Sequence, residues 1–474
     1  MNAKGSATGL QSGSTGRLRA FFEKFHSMDM LHGTIWDKAL AFAVPLALTS
    51  ILQQLYNAED VLVLGHFVGP EAMAGVGNNI PVLALIVNLF IGLSLGANVV
   101  MARCLGRGDP RGFRRAMGTG VWLALLSGIL VMACGLCLAD AITRSMDVPP
   151  EAEASAEAYL RWCFCAMPFI SLFNFESAFF RSVGNTAEPL AALAVATAFN
   201  IAGNLAAVMI FDAGVDGVAA STAASYALSA AWLWWRLARR HDDLRLSLKA
   251  LSCFDGRKAW ASFAIGMPAG VQGMVFAASN LVIQAAINSL GAETMAASAA
   301  AFTIENNVYC FVNAFGMAAT TFIGQNYGAG NLERCRKVTR VVMAWDLGVC
   351  CALSFSVGAI SPWLLGFFTD SQEVVDIAML RIAFVMLPQG INAITEVLSD
   401  SMRGYGYSLP PALTALICIC GERLLWVWLV FPSHQSYGAL MITYPISWAI
   451  TSLLLYFLYR HCVDSFVKKP QAAG

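Results

Sequence analysis

The sequence predicts an all-α polytopic membrane protein, with twelve transmembrane helices arranged as two parallel copies of a six-helix unit. Three observations carry that expectation: an apolar composition, twelve apolar runs joined by loops of alternating charge, and a repeat relating the first six runs to the second six. Of 474 residues, 57% are hydrophobic and 13% charged, whereas soluble proteins carry roughly 25% charged residues. Mean hydropathy is +0.61. Formal net charge is zero, so charge informs only when sorted by side of the membrane, and no nucleic-acid partner is expected.

Residues 1–36 contain no apolar core of a cleavable signal peptide, so a cytoplasmic N-terminal segment is expected there. Within it, residues 1–16 are expected to be disordered, and Arg17 to about Met30 to form an amphipathic surface helix leading into the first span. Runs able to cross a hydrocarbon core of about 30 Å lie near 38–64, 73–101, 116–140, 157–180, 190–212 and 217–236. A second set lies near 259–289, 295–324, 340–365, 376–402, 410–431 and 438–460. Basic residues collect after the second, sixth and eighth runs: Arg103, Arg107, Arg111, Arg114 and Arg115, then the segment from Arg236 to Lys258, then Arg334, Arg336, Lys337 and Arg340. The alternate loops are nearly free of them. Positive charge in short loops stays cytoplasmic, which places both termini inside and requires an even number of spans.

The repeat is explicit. GPEAMAG at 69–75 returns as GAETMAA at 291–297, and GRGDPRGFRR at 106–115 as GAGNLERCRK at 328–337, both displaced by 222. AYLRWCFCAMP at 158–168 returns as AMLRIAFVMLP at 378–388, and Arg181, Gly184 and Pro189 return as Arg403, Gly406 and Pro411. Each copy holds six spans, so both face the same way, about an axis along the membrane normal. Parallel repeats of this kind belong to transporters that hold substrate near the midplane between rocking halves. The expected division is an N-lobe at 37–236, a cytoplasmic linker at 237–258, a C-lobe at 259–461 and a cytoplasmic tail at 462–474.

One span carries a carboxylate where hydrocarbon is expected: PLALTSILQQLYNAEDVLVLG, Pro45 to Gly65. Gln53, Asn57 and Asp60 fall at spacings of four and three and so share a helix face. An acidic group in a span is costly, faces a bundle interior or watery cavity, and marks ion or proton paths. The alternative is a residue near a helix end that reaches headgroups or pairs internally. Glu59, roughly a quarter turn away, is expected on a different face, with no assigned role.

NxxD at Asn57 to Asp60, RCLGRGD after the second run, FFRSVGNTAEP at 179–189, GVDGVAAST at 214–222 and TYPISW at 443–448 together resemble the multidrug and toxic compound extrusion family, in its order and spacing over roughly residues 37 to 460. The resemblance implies a V-shaped cavity between the lobes and a secondary active antiporter in the bacterial inner membrane. Such a protein exports small cationic or amphiphilic molecules in exchange for inward protons or sodium ions, as a monomer in lipid and without a cofactor. By the same resemblance the coupling cation falls on Asp60, Asn200, Asn204 and Thr222, with Asn57 beside them; sodium would take those four as ligands. Relatives often carry a second aspartate where this chain has Asn204, which leaves Asp60 as the principal carboxylate. A cationic substrate and a coupling ion that need opposite states of one carboxylate exchange rather than travel together. Another branch uses acidic residues in the seventh and tenth helices, where this chain has Phe276 and Asn392, so coupling of that type is not expected.

Other polar groups in spans admit two readings. Asn280, Gln284 and Asn288 form a stripe on the seventh run that either lines the cavity, as Gln53 is expected to, or bonds to neighbouring helices. Glu305 and Glu396 either meet cationic substrates or pair with Arg403 and Arg423, the pairing being favoured. Arg161 and Arg381, at equivalent places in the two copies, are expected to snorkel to the interface. GRGD at 106–109 reads as a helix-joining turn. Cys134, Cys137, Cys163, Cys165, Cys350, Cys351, Cys418 and Cys420 lie in apolar runs and read as small buried hydrophobes. No phosphate-binding loop, zinc HExxH or GxSxG elbow is present, so no enzyme activity is expected. The competing reading is a flippase for lipid-linked glycans or another amphiphile, whose cavity would need several Arg or Lys for pyrophosphate.

Overall fold

The computed structural model describes residues 28–146, 150–240, 244 and 251–468. Residues 1–27, with most of the expected surface helix, residues 241–243 and 245–250 of the linker and the tail from 469 onward lie outside the described residues, as does the side chain of Asn57. The N-lobe comprises α1 (Trp36–Phe67), α2 (Pro70–Gly106), α3 (Pro110–Ser145), α4 (Pro150–Ser182), α5 (Ala187–Met209) and α6 (Gly214–Ala238). The C-lobe comprises α7 (Gly256–Asn288), α8 (Ala292–Gly328), α9 (Leu332–Leu365), α10 (Gln372–Gly404), α11 (Leu409–Ser433) and α12 (Tyr437–Val463). Ten of these are apolar enough to cross a membrane by hydropathy; α6 and α8 are as long but more polar. No strand occurs among the described residues.

The turns follow from local chemistry. Gly108 (φ 67°) and Gly330 (φ 76°) take the left-handed conformation that ends α2 and α8. The next residue caps the following helix. Asp109 Oδ1 accepts from Gly112 N at 2.8 Å, and Asn331 Oδ1 from Arg334 N at 3.1 Å. The GRGD and GAGN copies are therefore the same device, a glycine stop and a polar start.

Where the lobes meet depends on depth. At the end bearing the basic loops, Ile35, just ahead of α1, and Phe42 and Leu46 of α1 pack with Phe315, Phe322 and Ile323 of α8 and Val338 of α9. Gln325 Nε2 donates to the Ser182 carbonyl at 2.7 Å, Asn98 Nδ2 to Thr321 Oγ1 at 2.9 Å, and Asn326 Nδ2 to the Met30 carbonyl at 3.1 Å. At the other end each lobe keeps its own core. Val63, Leu64, Val76, Tyr159 and Val218 form one, and Ile283, Ile419, Phe431, Tyr437 and Trp448 the other. The lobes are thus joined at the basic end and packed separately at the opposite end, which gives the V.

The joint itself is made of glycine. Gly92 and Gly96 of α2 face Gly270 and Gly266 of α7, two GxxxG stripes in antiparallel register. A Cβ on Gly96 would lie 2.0 Å from the Ser262 carbonyl oxygen, and one on Gly92 would lie 2.2 Å from Gly270 N. Without a hydrophobic drive between helices in lipid, such close backbone approach is what holds spans together.

Two expectations are corrected. Cys134 and Cys137 are exposed on the outer face of α3 rather than buried, because an apolar residue in a span satisfies lipid as well as protein. Arg381 does not snorkel; it is 4% exposed and pairs with Glu305 at 2.7 Å. Arg161, by contrast, stays at the rim and pairs with Glu157 at 2.6 Å.

Gly96→Val forces α2 and α7 apart, and overpacking of this kind costs about 1–3 kcal/mol. In detergent, its thermal midpoint, followed by tryptophan fluorescence, falls below wild type, whereas Gly77→Ala, with no atom within 4 Å of the added Cβ, leaves it unchanged. An unchanged midpoint in Gly96→Val would contradict the close crossing.

Candidate functional site

Asp60 lies in the half of α1 beyond the joint, with no part of it exposed. Three helices supply its hydrogen-bond donors. Tyr159 of α4 donates to Oδ2 at 2.9 Å, Thr222 Oγ1 of α6 donates to the same oxygen at 2.8 Å, and Asn204 Nδ2 of α5 donates to Oδ1 at 2.7 Å. Asn200, one turn before Asn204 on the same face, donates through Nδ2 to Thr222 Oγ1 at 3.0 Å and to Asn204 Oδ1 at 3.4 Å. Tyr56, one turn before Asp60, donates to the Thr222 carbonyl at 3.0 Å and hydrogen-bonds Ser225 Oγ. That bond fixes α6 against α1. A buried carboxylate is tolerable only where its oxygens are engaged. Here they are engaged by neutral groups, for no Lys, Arg or His pairs with Asp60 among the described residues.

The structure therefore brings Asp60, Asn200, Asn204 and Thr222 into one cluster. It adds Tyr159, absent from the sequence-based set, and it corrects Glu59. That residue does not point away: Asn204 Nδ2 donates to Glu59 Oε2 at 2.7 Å as well as to Asp60. A glutamate is long enough to reach round the helix, and Asn204 stands between the two directions.

The remaining predicted positions are dispersed. Gln53 is half-buried on α1, and its neighbour Gln54 bridges the lobes, donating to Cys310 Sγ at 2.8 Å and accepting from Asn306 Nδ2 at 2.8 Å. Gln284 Nε2 donates to Asn288 Oδ1 along α7 at 2.8 Å, and Asn280 Oδ1 accepts from Arg423 Nη1 at 3.3 Å. Glu305 is paired, but with Arg381 rather than Arg403 or Arg423, and Glu396 accepts from the Tyr309 hydroxyl at 3.1 Å. Arg403 pairs with Asp400 and donates to Gln272 Oε1 at 2.7 Å, while Arg423 lies over the Tyr444 ring, 4.0 Å from its centroid. Thr443 of α12 donates to Glu422 of α11 at 3.0 and 2.8 Å, the C-lobe parallel of the Thr222–Asn200 contact. The two lobes thus differ in sign. The N-lobe cluster holds carboxylates and amides, whereas the C-lobe counterpart holds Arg381 and Arg423 among its acids.

Glu176 and Asp346 are also buried, with both carboxyl oxygens unpartnered, and neither was singled out from sequence. No group of three or more His, Cys, Asp or Glu suited to a metal occurs among the described residues. The cluster around Asp60 offers oxygen donors, the set that hard cations and protons use.

If Thr222 links Asn200 to Asp60, its loss strands a buried donor and an acceptor. Thr222→Val then costs about 1–3 kcal/mol in chemical unfolding in micelles, and the cost shrinks in an Asp60→Asn background. Additive costs in that double-mutant cycle would contradict the linkage.

The MatE family model matches residues 45–206 and 268–428, one segment in each lobe. The chain is 24% identical over 442 residues to a probable multidrug resistance protein, YoeA, of Bacillus subtilis, covering 90% of this chain and 94% of that one. It is 28% identical over 408 residues to a probable multidrug resistance protein, NorM, of Thermotoga maritima, covering 82% and 84%. A MATE protein crystallised in complex with MaL6 superposes with a TM-score of 0.85 at 19% identity, covering 93% of this chain and 99% of that one. With both lobes matched by the family model and the fold shared along nearly the whole length, the chain belongs to the multidrug and toxic compound extrusion (MatE) family of membrane transporters.

Proposed function

We propose that this protein is a secondary active exporter of organic cations, which leave in exchange for protons or sodium ions entering through the N-lobe, with Asp60 as the coupling carboxylate. The observation that carries this reading is the isolation of Asp60: fully buried, held by neutral donors from three helices and paired with no base among the described residues. Its charge is therefore free to be met by a mobile cation.

The names of the relatives, both multidrug resistance proteins, support small cationic or amphiphilic molecules as cargo. The basic loops support a bacterial plasma-membrane orientation with both termini in the cytoplasm. In that orientation the V opens outward, and the joint at the glycine stripes seals the cytoplasmic side. A proton or sodium ion enters from outside, and Asp60 accepts it. Sodium would use the Asp60 carboxylate with the oxygens of Asn200, Asn204 and Thr222. Loading neutralises the carboxylate and weakens the lobe's hold on an organic cation, which leaves outward. By reciprocity the organic cation weakens the hold on the ion by the same factor. The lobes then rock, and the ion is released to the cytoplasm.

Purified protein in liposomes tests this with ethidium as cargo, under a sodium gradient and a pH gradient imposed separately. At least one gradient drives ethidium counterflow in wild type. Asp60→Asn, inserted at equal amount, reduces the driven rate to that of protein-free vesicles. Wild-type counterflow in Asp60→Asn removes Asp60 from the coupling role, and no driven counterflow in wild type rejects the exporter reading.

A further inference from the structure

The resemblance implies that relatives often carry a second aspartate where this chain has Asn204, and in this structure another acid, Glu59, meets the Asn204 amide. Asn204 Nδ2 lies 2.7 Å from Glu59 Oε2 and 2.7 Å from Asp60 Oδ1, so one amide is shared by two carboxylates. Sharing brings the two acids to one point at the end of the α5 side chain. The second Glu59 oxygen, Oε1, is buried without a hydrogen-bond partner, and so is Oδ1 of Asn200, a residue with no exposure. Both belong to side chains already tied to the cluster, Asn200 through Thr222 and Glu59 through Asn204.

Two acids and two unengaged oxygens need positive charge. Near Asp60 stand Tyr56 from α1, Tyr159 and Cys163 from α4 and Tyr226 from α6. Phenols and a thiol supply none, and no Lys, Arg or His forms an ion pair with Glu59 or Asp60 among the described residues. An amide carries no charge to set against two carboxylates, and like charges gathered at one shared donor repel each other. Transported ions bring positive charge of the kind this pair lacks.

We propose that Glu59 is the second carboxylate of the coupling site, so that the N-lobe takes up two positive charges in each cycle. They are either two protons, one on each acid, or a sodium ion held between them together with a proton. The inference rests on the exporter reading above and deepens it. Export of a monovalent organic cation against two entering charges moves one net positive charge inward per turn, so the exchange is driven by membrane potential as well as by the ion gradient. With Glu59 neutral the exchange is one for one and potential has no purchase on it.

The test is the steady-state ethidium ratio across proteoliposomes at a fixed ion gradient, with and without an interior-negative potassium diffusion potential set by valinomycin, corrected for protein-free vesicles. One net charge against 100 mV corresponds to about a 50-fold shift in the attainable ratio. Wild type shows a shift of that order. Glu59→Gln shows none, and Glu59→Gln with Asn204→Asp, which returns an acid at the family's position, recovers it. A Glu59→Gln protein that exchanges nothing is decided by the same double variant: recovery upholds the second carboxylate, and no recovery overturns it. Undiminished potential dependence in Glu59→Gln, with Asp60→Asn inactive, overturns the role of Glu59 and leaves the exporter reading standing. Normal exchange in Asp60→Asn overturns the coupling reading itself.

Discussion

A carboxylate taken out of water and surrounded only by neutral donors is the constraint on which this structure turns. Asp60 accepts from α4, α5 and α6 at once, so three helices of the N-lobe are positioned by one side chain. Their own polar groups are positioned in turn, as Asn200 holds Thr222 and Tyr56 holds the backbone beside it. Replacing those donors by a permanent cation would give a static ion pair, expensive to bury and useless for exchange. Neutral donors leave the charge uncancelled, which is what the proposed coupling role requires.

Duplication explains both the frame and its asymmetry. The two copies share their turns and capping residues, and the glycine stripes of α2 and α7 join one copy to the other. They diverge where charge is concerned. The place of Asp60 in the second copy is taken by Ile283, if Asn57 is matched to Asn280, and Ile283 is buried in the C-lobe core. Glu305 stands where the first copy has Leu83. That one difference decides the fate of a repeated arginine: Arg381 finds a carboxylate inside the bundle and is buried, while Arg161 finds none opposite and stays at the rim with Glu157.

Much of the fold was legible because spanning length, loop charge and internal repeat are long-range patterns that survive sequence divergence. The frame residues of the candidate site were legible too. Asn200 and Asn204 sit one turn apart, and Asp60 is an acid in an apolar run. Tyr159 was hidden because a tyrosine in a span is unremarkable; its faint signal is the repeat, which has Met379 at the same place and therefore no hydroxyl. Glu59 was misplaced because helical angles describe Cβ directions and not the reach of a long side chain. The partners of Glu305 and Arg403 were misassigned for a related reason. Spacing along one helix does not say which neighbouring helix comes close, and Arg403 takes the acid one turn away on its own helix, Asp400, in place of more distant acids.

The most direct test of an exchangeable charge on Asp60 is infrared difference spectroscopy of the purified protein, comparing acidic with alkaline buffer and sodium-free with sodium-loaded samples. A protonated carboxyl band that disappears on alkalinisation or sodium loading, and is missing from Asp60→Asn, is the predicted result. A spectrum in which wild type and Asp60→Asn give the same differences would mean that Asp60 never changes its state, and the account would fall.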